Sequence, residues 1–140
     1  MKLSRIIPIL ILLCLLACDK MDENGKLDGN WQLTRWTDNA TGEVKADNTS
    51  KIFYTVKLQL IQFADQSSDD WPFIATFSHK GDSLILTNIY AHRANTDSIA
   101  SATDLQRFGV SSDGRFAINE LTDSRMTLRN STNTLTFRKY

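Results

Sequence analysis

The chain has few residues of the kinds that build covalent or metal-bound frameworks. Its 140 residues include two cysteines, two histidines and two prolines. Cys14 and Cys18 both lie near the start, so the rest of the sequence cannot form a disulfide scaffold or a thiolate metal site. Phosphate-binding loops, G-x-S-x-G, H-E-x-x-H and C-x-x-C are absent from the sequence as well, and these patterns mark common catalytic and nucleotide sites. We therefore expect neither an enzyme nor a bound cofactor.

An excess of positive charge is also lacking. The sequence holds 16 basic and 16 acidic residues, and without Lys2 and Arg5 there are 14 basic residues and a net charge of −2. This balance argues against nucleic acid as a partner, because nucleic-acid binding needs a basic footprint. No repeat of about 20 to 50 residues is visible, which argues against solenoids and propellers. The length fits one domain.

Only one long apolar run occurs, from Ile6 to Leu16, and Lys2 and Arg5 precede it. As a helix this run would extend ~16 Å at 1.5 Å per residue, whereas a bilayer span needs about 20 residues. A basic start, a short apolar stretch and a small residue at its end are the layout of a secretory signal peptide. We expect residues 1–17 to be such a signal and to be removed.

Ala17-Cys18 resembles the bacterial lipobox, in which the cysteine is acylated and becomes the first residue of the mature protein. The resemblance implies a lipid anchor at Cys18, detectable with labelled palmitate, and places the protein at the outer membrane of the cell envelope. The anchor makes the membrane a partner of the chain, because two or more acyl chains bind a bilayer firmly. A disulfide between Cys14 and Cys18 is the competing interpretation.

Residues 18–28 are polar and contain glycine, which predicts a tether between the anchor and a folded domain at 29–140. The acidic residues Asp19, Asp22 and Glu23 resemble a surface-export signal, whereas Asp19 alone resembles an inner-membrane retention signal. The same residues can also be a solvated linker. Periplasmic and surface-exposed locations therefore both stay open.

The dominant pattern of the domain is alternation of apolar and polar residues, which is typical of half-buried strands. "KIFYTVKLQL" reads as one strand, and "PFIATFSHKGDSLILTNIY" reads as a hairpin that turns at Lys80-Gly81-Asp82. Residues 114–140 read as further strands joined by short turns. Only Ala91 to Gly114 lacks the pattern, and "TDLQRF" within it predicts one short helix with Thr103 as N-cap and Asp104 near its positive end. Short strands with one apolar face form a sandwich or a barrel.

Gly29-Asn30-Trp31 gives G-x-W at the start of the domain, and "MTLRNSTNTLTFRKY" gives a closing strand pair. Together with the signal and the tether, this resembles the lipocalin-like lipoproteins of bacteria. The resemblance implies an all-β, antiparallel up-and-down barrel of about seven to eight strands, complete or open, with one short helix. It also implies that Trp31 packs across one end of the barrel beneath a cation, for which Arg138 and Arg129 are the candidates.

Two binding functions follow from this resemblance. The first is a small hydrophobic ligand held inside the barrel, since eight strands leave room for side chains or for one small ligand. The alternative is a filled barrel whose surface binds an envelope protein or a glycan. The expected ligand-lining residues are Trp31, Leu33, Tyr54, Val56, Leu58, Phe73, Phe77, Leu84, Phe116, Ile118, Met126 and Leu128. Leu86, Leu135 and Phe137 complete the inward set.

The unpatterned stretch is flanked by Tyr90, His92 and Phe108. Either these three residues form a lid over a cavity, or Phe108 alone plugs the open end. Trp71 is either an exposed ring that stacks on carbohydrate or a cap on the core. Asp82-Ser83-Leu84 and Asp97-Ser98-Ile99 resemble O-glycosylation acceptors of exported proteins, which implies modification at Ser98 and Ser83.

Two clusters contain residue types that can bind metal ions. His79 and His92 can be combined with Asp82 or Asp97, but histidines near turns are more often solvated. Residues 67–70, "SSDD", lack the spacing of a calcium loop and predict a polar turn. We expect no metal site.

Overall fold

A computed structural model describes residues 24–92 and 97–140. The predicted signal peptide and Cys18 lie outside the described residues, so the signal and anchor predictions stay predictions. The predicted tether, residues 18–28, is described only from Asn24 onward. There Gly25–Leu27 form a 3-10 helix and Leu27 is fully buried in the core, so this end of the segment belongs to the folded domain. The described part contains ten strands, a 3-10 helix and one α-helix. The strands are β1 Gly29–Asp38, β2 Val44–Ala46, β3 Ile52–Lys57, β4 Leu60–Asp65, β5 Phe73–Lys80, β6 Ser83–Ala91, β7 Ser98–Ile99, β8 Arg115–Leu121, β9 Arg125–Arg129 and β10 Asn133–Lys139. The 3-10 helix is Gly25–Leu27 and the α-helix, α1, is Ala102–Gln106.

Eight strands form a closed antiparallel barrel in the order β1-β3-β4-β5-β6-β8-β9-β10. The last strand pairs with the first, with Leu33 opposite Phe137 and Trp36 opposite Leu135. β2 pairs with the end of β1, and β7 pairs with the end of β6. The predicted all-β up-and-down barrel is thus confirmed, and it is complete. Closure removes the unpaired strand edges that an open sheet would present.

The two ends of the barrel differ in how they are covered. The end that carries the 3-10 helix and the start of β1 is called the base here. The opposite end, where α1 and the turn at residues 130–132 lie, is called the mouth. The hydrophobic core of the described chain lies between Leu27 and Phe137. Because the described strands close on themselves around this core, the barrel has the paired strands and the packed interior that a small domain needs in order to fold alone.

The hairpin predicted at Lys80-Gly81-Asp82 is confirmed, because β5 ends at Lys80 and β6 begins at Ser83. The single strand predicted for residues 51–60 is wrong. β3 ends at Lys57, Leu58 and Gln59 form a two-residue turn, and β4 begins at Leu60. Leu58 adopts a φ of +55° there and its carbonyl accepts a hydrogen bond of 2.5 Å from the Asn24 side chain.

The short helix is confirmed, but its N-cap is Ser101 and not Thr103. The Ser101 hydroxyl accepts a hydrogen bond from the Asp104 backbone N–H at 3.1 Å. The Asp104 carboxylate in turn accepts one from the Ser101 N–H at 3.0 Å. This reciprocal pair is a capping box, which satisfies two backbone donors that a helix start leaves open. The prediction placed the start two residues late because Thr103 is also a common N-cap residue.

Candidate functional site

Aromatic side chains fill the interior of the barrel. The Tyr54 ring lies 4.5 Å from the Phe63 ring and 4.7 Å from the Phe137 ring, measured between centroids. The Phe108 ring reaches the same group, with its centroid 6.0 Å from that of Phe63 and 5.6 Å from that of Phe73. Offset and edge-on rings at these separations are in contact. The described interior is therefore packed by its own side chains at the level of these residues.

Ten of the twelve predicted lining residues are buried in this interior. They are Trp31, Leu33, Tyr54, Val56, Phe73, Leu84, Phe116, Ile118, Met126 and Leu128. Phe77 is half-buried and packs against the edge of the core. Leu58 was predicted to point inward, and this is wrong, because it lies in the β3–β4 turn with 57% of its surface exposed. Leu86, Leu135 and Phe137, which complete the predicted inward set, are buried.

Trp31 closes the base of the barrel, as the resemblance to lipocalin-like proteins implies. It is fully buried, and its indole N–H donates to the Leu27 carbonyl at 2.8 Å. The cation over its ring is Lys139, whose Nζ lies 4.7 Å from the ring centroid, and not Arg138 or Arg129. The register explains the difference, because Trp31 pairs directly with Lys139. The neighbouring Arg138 donates from Nε to the Gln32 side chain at 2.8 Å.

The mouth of the barrel is covered by the segment that follows α1. Phe108 and Val110 from this segment are each 3% exposed. The Tyr54 hydroxyl donates a hydrogen bond to the Phe108 carbonyl, and the Asn130 side chain donates to the Gly109 carbonyl at 2.8 Å. Burial raises the pKa of the Tyr54 hydroxyl above its ordinary value, so the hydroxyl stays protonated and can donate. Phe108 is thus in the plug position, the second of the two predicted roles.

An outward-facing cleft of about 460 Å³ lies beside this plug. Its walls come from the end of β1, from β2, from α1 and from the β9–β10 turn. The lining residues are Trp36, Asp38, Lys45, Ala102, Gln106, Val110, Ser111, Ser112, Ser131, Thr132 and Asn133. This set combines one indole ring with hydroxyl, amide and charged groups. The volume lies within the range of small-molecule sites.

Hydrogen bonds and charges hold the aromatic side of this cleft in place. The Trp36 indole N–H donates to the Asn133 side-chain oxygen at 2.7 Å, and Lys45 Nζ lies 5.6 Å from the Trp36 ring centroid. Lys45 also approaches the Asp38 carboxylate at 3.7 Å. The backbone N–H groups of Thr41 and Ala40 hold the pKa of Asp38 below its ordinary value, so Asp38 is ionised when it faces Lys45.

Other polar side chains in the cleft are available to a ligand. Within residues 24–92 and 97–140, the side chains of Gln106, Ser112 and Ser131 have no hydrogen-bond partner, and all three residues are exposed. Such groups can donate and accept without breaking an existing bond. The arrangement of a fixed indole beside unpaired hydroxyl and amide groups can hold a small molecule that carries several hydroxyls.

Sequence reasoning did not find this cleft. Trp36 was visible as an aromatic residue after G-x-W, but its partner Asn133 is almost a hundred residues away. The strand β2 has three residues, too few for alternation to be recognised. The only available signal was the run of turn-forming residues at 130–133, which predicts a turn and gives no indication of what faces it.

The remaining predicted site residues lie outside the cleft. Tyr90 is half-buried on β6, and His92 is exposed with Nδ1 3.6 Å from the Asp97 carboxylate. Ser83 and Ser98 are exposed. Trp71 is 51% exposed, which removes its assignment as a cap on the core. Residues 67–70 follow β4 as a polar turn.

Among the described residues, His, Cys, Asp and Glu side chains form no group of three or more that could hold a metal ion. No helix in the ranges 24–92 and 97–140 has the length and apolar character to cross a membrane.

Comparisons with known proteins agree with this architecture. The family model described as a lipocalin-like domain matches residues 11–140. A crystal structure of a lipocalin-like protein from Bacteroides uniformis is similar with a TM-score of 0.59 and 21% identity, covering 83% of this chain and all of that one. An uncharacterized protein from Bacteroides eggerthii is similar with a TM-score of 0.57 and 25% identity, covering 81% of this chain and 98% of that one. A search of curated proteins gave no match.

Proposed function

Because the chain belongs to the lipocalin-like domain family, whose barrels are generally non-enzymatic binding folds, we propose that it is a binding protein of the cell envelope. Its barrel is a filled scaffold, and its ligand is a small polyhydroxylated molecule, such as a unit of a glycan, that binds in the mouth cleft. The observation that carries this assignment is the contrast between the two locations. The interior is packed with contacting rings, whereas the cleft offers Trp36 and unpaired polar side chains.

Carbohydrate recognition suits the chemistry of this cleft. An indole presents an apolar face to the C–H groups of a sugar ring, and the hydroxyl and amide groups of Ser131 and Gln106 can bond to its hydroxyls. The two charged residues of the cleft, Lys45 and Asp38, form an ion pair with each other, so their charges cancel. A neutral ligand is therefore favoured over a strongly charged one.

The test is ligand-observed NMR against a panel of neutral mono- and oligosaccharides. Gln106→Ala combined with Ser131→Ala should weaken binding of the best ligand about tenfold or more, because each lost hydrogen bond contributes roughly 0.5–1.5 kcal/mol. Gln66→Ala combined with Ser78→Ala is the matched control, since these two exposed side chains lie outside the cleft. Equal weakening by both variants, or no saccharide signal in the unchanged protein, would reject the assignment.

A small hydrophobic ligand inside the barrel is the second candidate. The observation in its favour is that Phe108 and Val110, which close the mouth, come from a connecting segment and not from the strands of the wall. A connecting segment can move without breaking strand pairing. Apolar ligands displaced from the unchanged protein by organic extraction, and identified by mass spectrometry, would favour this candidate over the cleft.

The proposal includes a lipid anchor at Cys18 and an outer-membrane location. It rests on the signal-like first 17 residues and on Ala17-Cys18, as argued from the sequence. Cys18→Ser should abolish incorporation of labelled palmitate and release the protein from the membrane fraction. Cys14→Ser is the control and should keep both properties. Palmitate incorporation that survives in the Cys18→Ser variant would refute the anchor.

A further inference from the structure

A cluster of arginines lies on the outer wall of the barrel, and it extends from Arg35 in the middle of the wall to Arg125 and Arg138 near the base. We propose that this surface binds the anionic phospholipid headgroups of the membrane that holds the chain, so that the protein stands on its base with its mouth directed away from the bilayer. The proposal rests on the lipid anchor proposed above. The surface is a groove of about 510 Å³, and its cations are Arg35, Arg125, Arg138 and Lys139.

The register of the strands brings these cations together. Arg125 of β9 lies directly opposite Arg138 of β10, and Arg35 of β1 lies opposite Thr136 of β10. Like charges placed directly opposite each other on paired strands are destabilising. Glu120 offsets one of them, because its carboxylate lies 3.3 Å from Arg125 Nε. An anionic ligand would offset the remaining repulsion.

The guanidinium groups are positioned for a ligand outside the protein. The residues Arg35, Arg125 and Arg138 are all exposed. Arg138 uses Nε for the Gln32 side chain, which fixes its plane and leaves its terminal nitrogens for another acceptor. The groove is also lined by Thr34, Ser124 and Thr136. Guanidinium groups beside hydroxyls are well suited to phosphate oxygens.

The groove is continuous with the place where the chain enters the barrel. Lys139 lines the groove, and its Nζ donates to the Lys26 carbonyl at 3.3 Å. Lys26 belongs to the 3-10 helix, and the described chain begins immediately before it at Asn24. Cys18 is six residues before Asn24, so an acylated Cys18 would keep this point within about 20 Å of the bilayer surface.

The distribution of acidic residues gives the same orientation. Most of the described carboxylates lie around the mouth or on the segments that cover it. These residues are Asp38, Glu43, Asp47, Asp65, Asp69, Asp70, Asp97, Asp104 and Asp113. An anionic membrane attracts the base and repels this end. The same orientation would direct the mouth cleft toward the surrounding solution.

The test uses residues 19–140, which include the complete barrel but no acylation site. Sedimentation with vesicles measures partition onto phosphatidylcholine alone and onto equimolar phosphatidylcholine and phosphatidylglycerol at low salt. We expect partition onto the anionic vesicles only, with loss at high salt. Arg35→Gln, Arg125→Gln and Arg138→Gln together should lower it roughly 100-fold, because each basic residue at such a surface contributes a factor of about five.

The matched control removes the same charge from the mouth half of the barrel, with Lys51→Gln, Arg115→Gln and Arg129→Gln, and should change partition only slightly. Equal loss in both triple variants, or no preference for anionic vesicles, would overturn the proposal. Retention on a sulfated polysaccharide without vesicle binding would also overturn it, since the groove would then serve a different polyanion. A failed palmitate assay would leave these results unaffected, so the two proposals fail separately.

Discussion

At the scale of single residues, the base of the barrel depends on Gly29, Trp31 and Lys139. Gly29 has a φ of +138°, and a Cβ atom there would lie 2.9 Å from Lys139 Cε. The absence of a side chain at Gly29 therefore lets the Lys139 stem cross the strand and place its ammonium over Trp31. The glycine of G-x-W is thus explained by the space that Lys139 needs, and the tryptophan is explained by its packing at the base.

Trp31→Ala should lower the free energy of unfolding by about 3–5 kcal/mol, the usual cost of truncating a buried aromatic side chain. Urea denaturation of residues 19–140 measures this loss against a total of about 5–15 kcal/mol for a small domain. Trp71→Ala is the control and should cost less than about 0.5 kcal/mol, because its ring is half exposed. A loss below about 1 kcal/mol for Trp31→Ala would contradict its closing role.

A second residue-scale prediction concerns Gly114 at the mouth. It has a φ of +67°, and an added Cβ would lie 2.7 Å from the Leu86 carbonyl oxygen, a backbone atom fixed by the barrel. Gly114→Ala should therefore lower the free energy of unfolding by more than roughly 1–2 kcal/mol, which is the cost of holding a residue with a Cβ atom in the left-handed conformation. Gly81→Ala isolates the backbone effect, since Gly81 has a φ of +56° but no atom within 4 Å of an added Cβ. Equal losses in thermal denaturation would refute the steric contribution.

At the scale of elements, the sequence predicts a hairpin correctly where turn-forming residues separate two segments of alternating apolar and polar residues. Lys80-Gly81-Asp82 separates two alternating segments and gives the β5–β6 hairpin. Leu58 and Gln59 form a hairpin turn of the same length, but neither is a typical turn-forming residue. The alternation of apolar and polar residues therefore predicts one continuous strand across this turn. The inward positions shift there from Tyr54 and Val56 to Ile61 and Phe63. Pairing with the neighbouring strands of the barrel decided this turn, and local sequence does not contain that information.

The helix α1 offers an element-scale prediction because its start depends on one side chain. Ser101→Ala removes the hydroxyl that accepts from the Asp104 N–H, at a cost of about 0.5–2 kcal/mol. Amide hydrogen exchange at Leu105, whose N–H bonds to the Ser101 carbonyl, should accelerate severalfold. Thr103→Ala is the control and should not accelerate it, since alanine has the higher helix propensity. Faster exchange in both variants would contradict the assignment of Ser101 as the N-cap.

At the scale of the whole molecule, the inward face of most strands follows from the sequence, but neither the closure of the barrel nor the content of its interior does. Alternation predicts which face of each strand points inward, and ten of twelve inward residues are buried accordingly. The same alternation would result from a hollow barrel. The difference is made by Phe108, which comes from the one segment without a strand pattern. The mouth cleft escapes prediction for a similar reason, because closure brings Trp36 and Asn133 together from the two ends of the domain.

The filled interior leads to the last prediction, which tests whether Phe108 occupies space that a ligand could take. Phe108→Ala should leave an apolar cavity inside the mouth and cost about 3–5 kcal/mol. Apolar cavities of this origin bind benzene, so benzene should raise the melting temperature of the variant and leave the unchanged protein unaffected. Phe53→Ala is the control, because Phe53 is buried on the outer wall against Tyr140. Stabilisation of the unchanged protein by benzene would mean that the interior already holds a cavity, and the ligand site would then move from the cleft to the barrel.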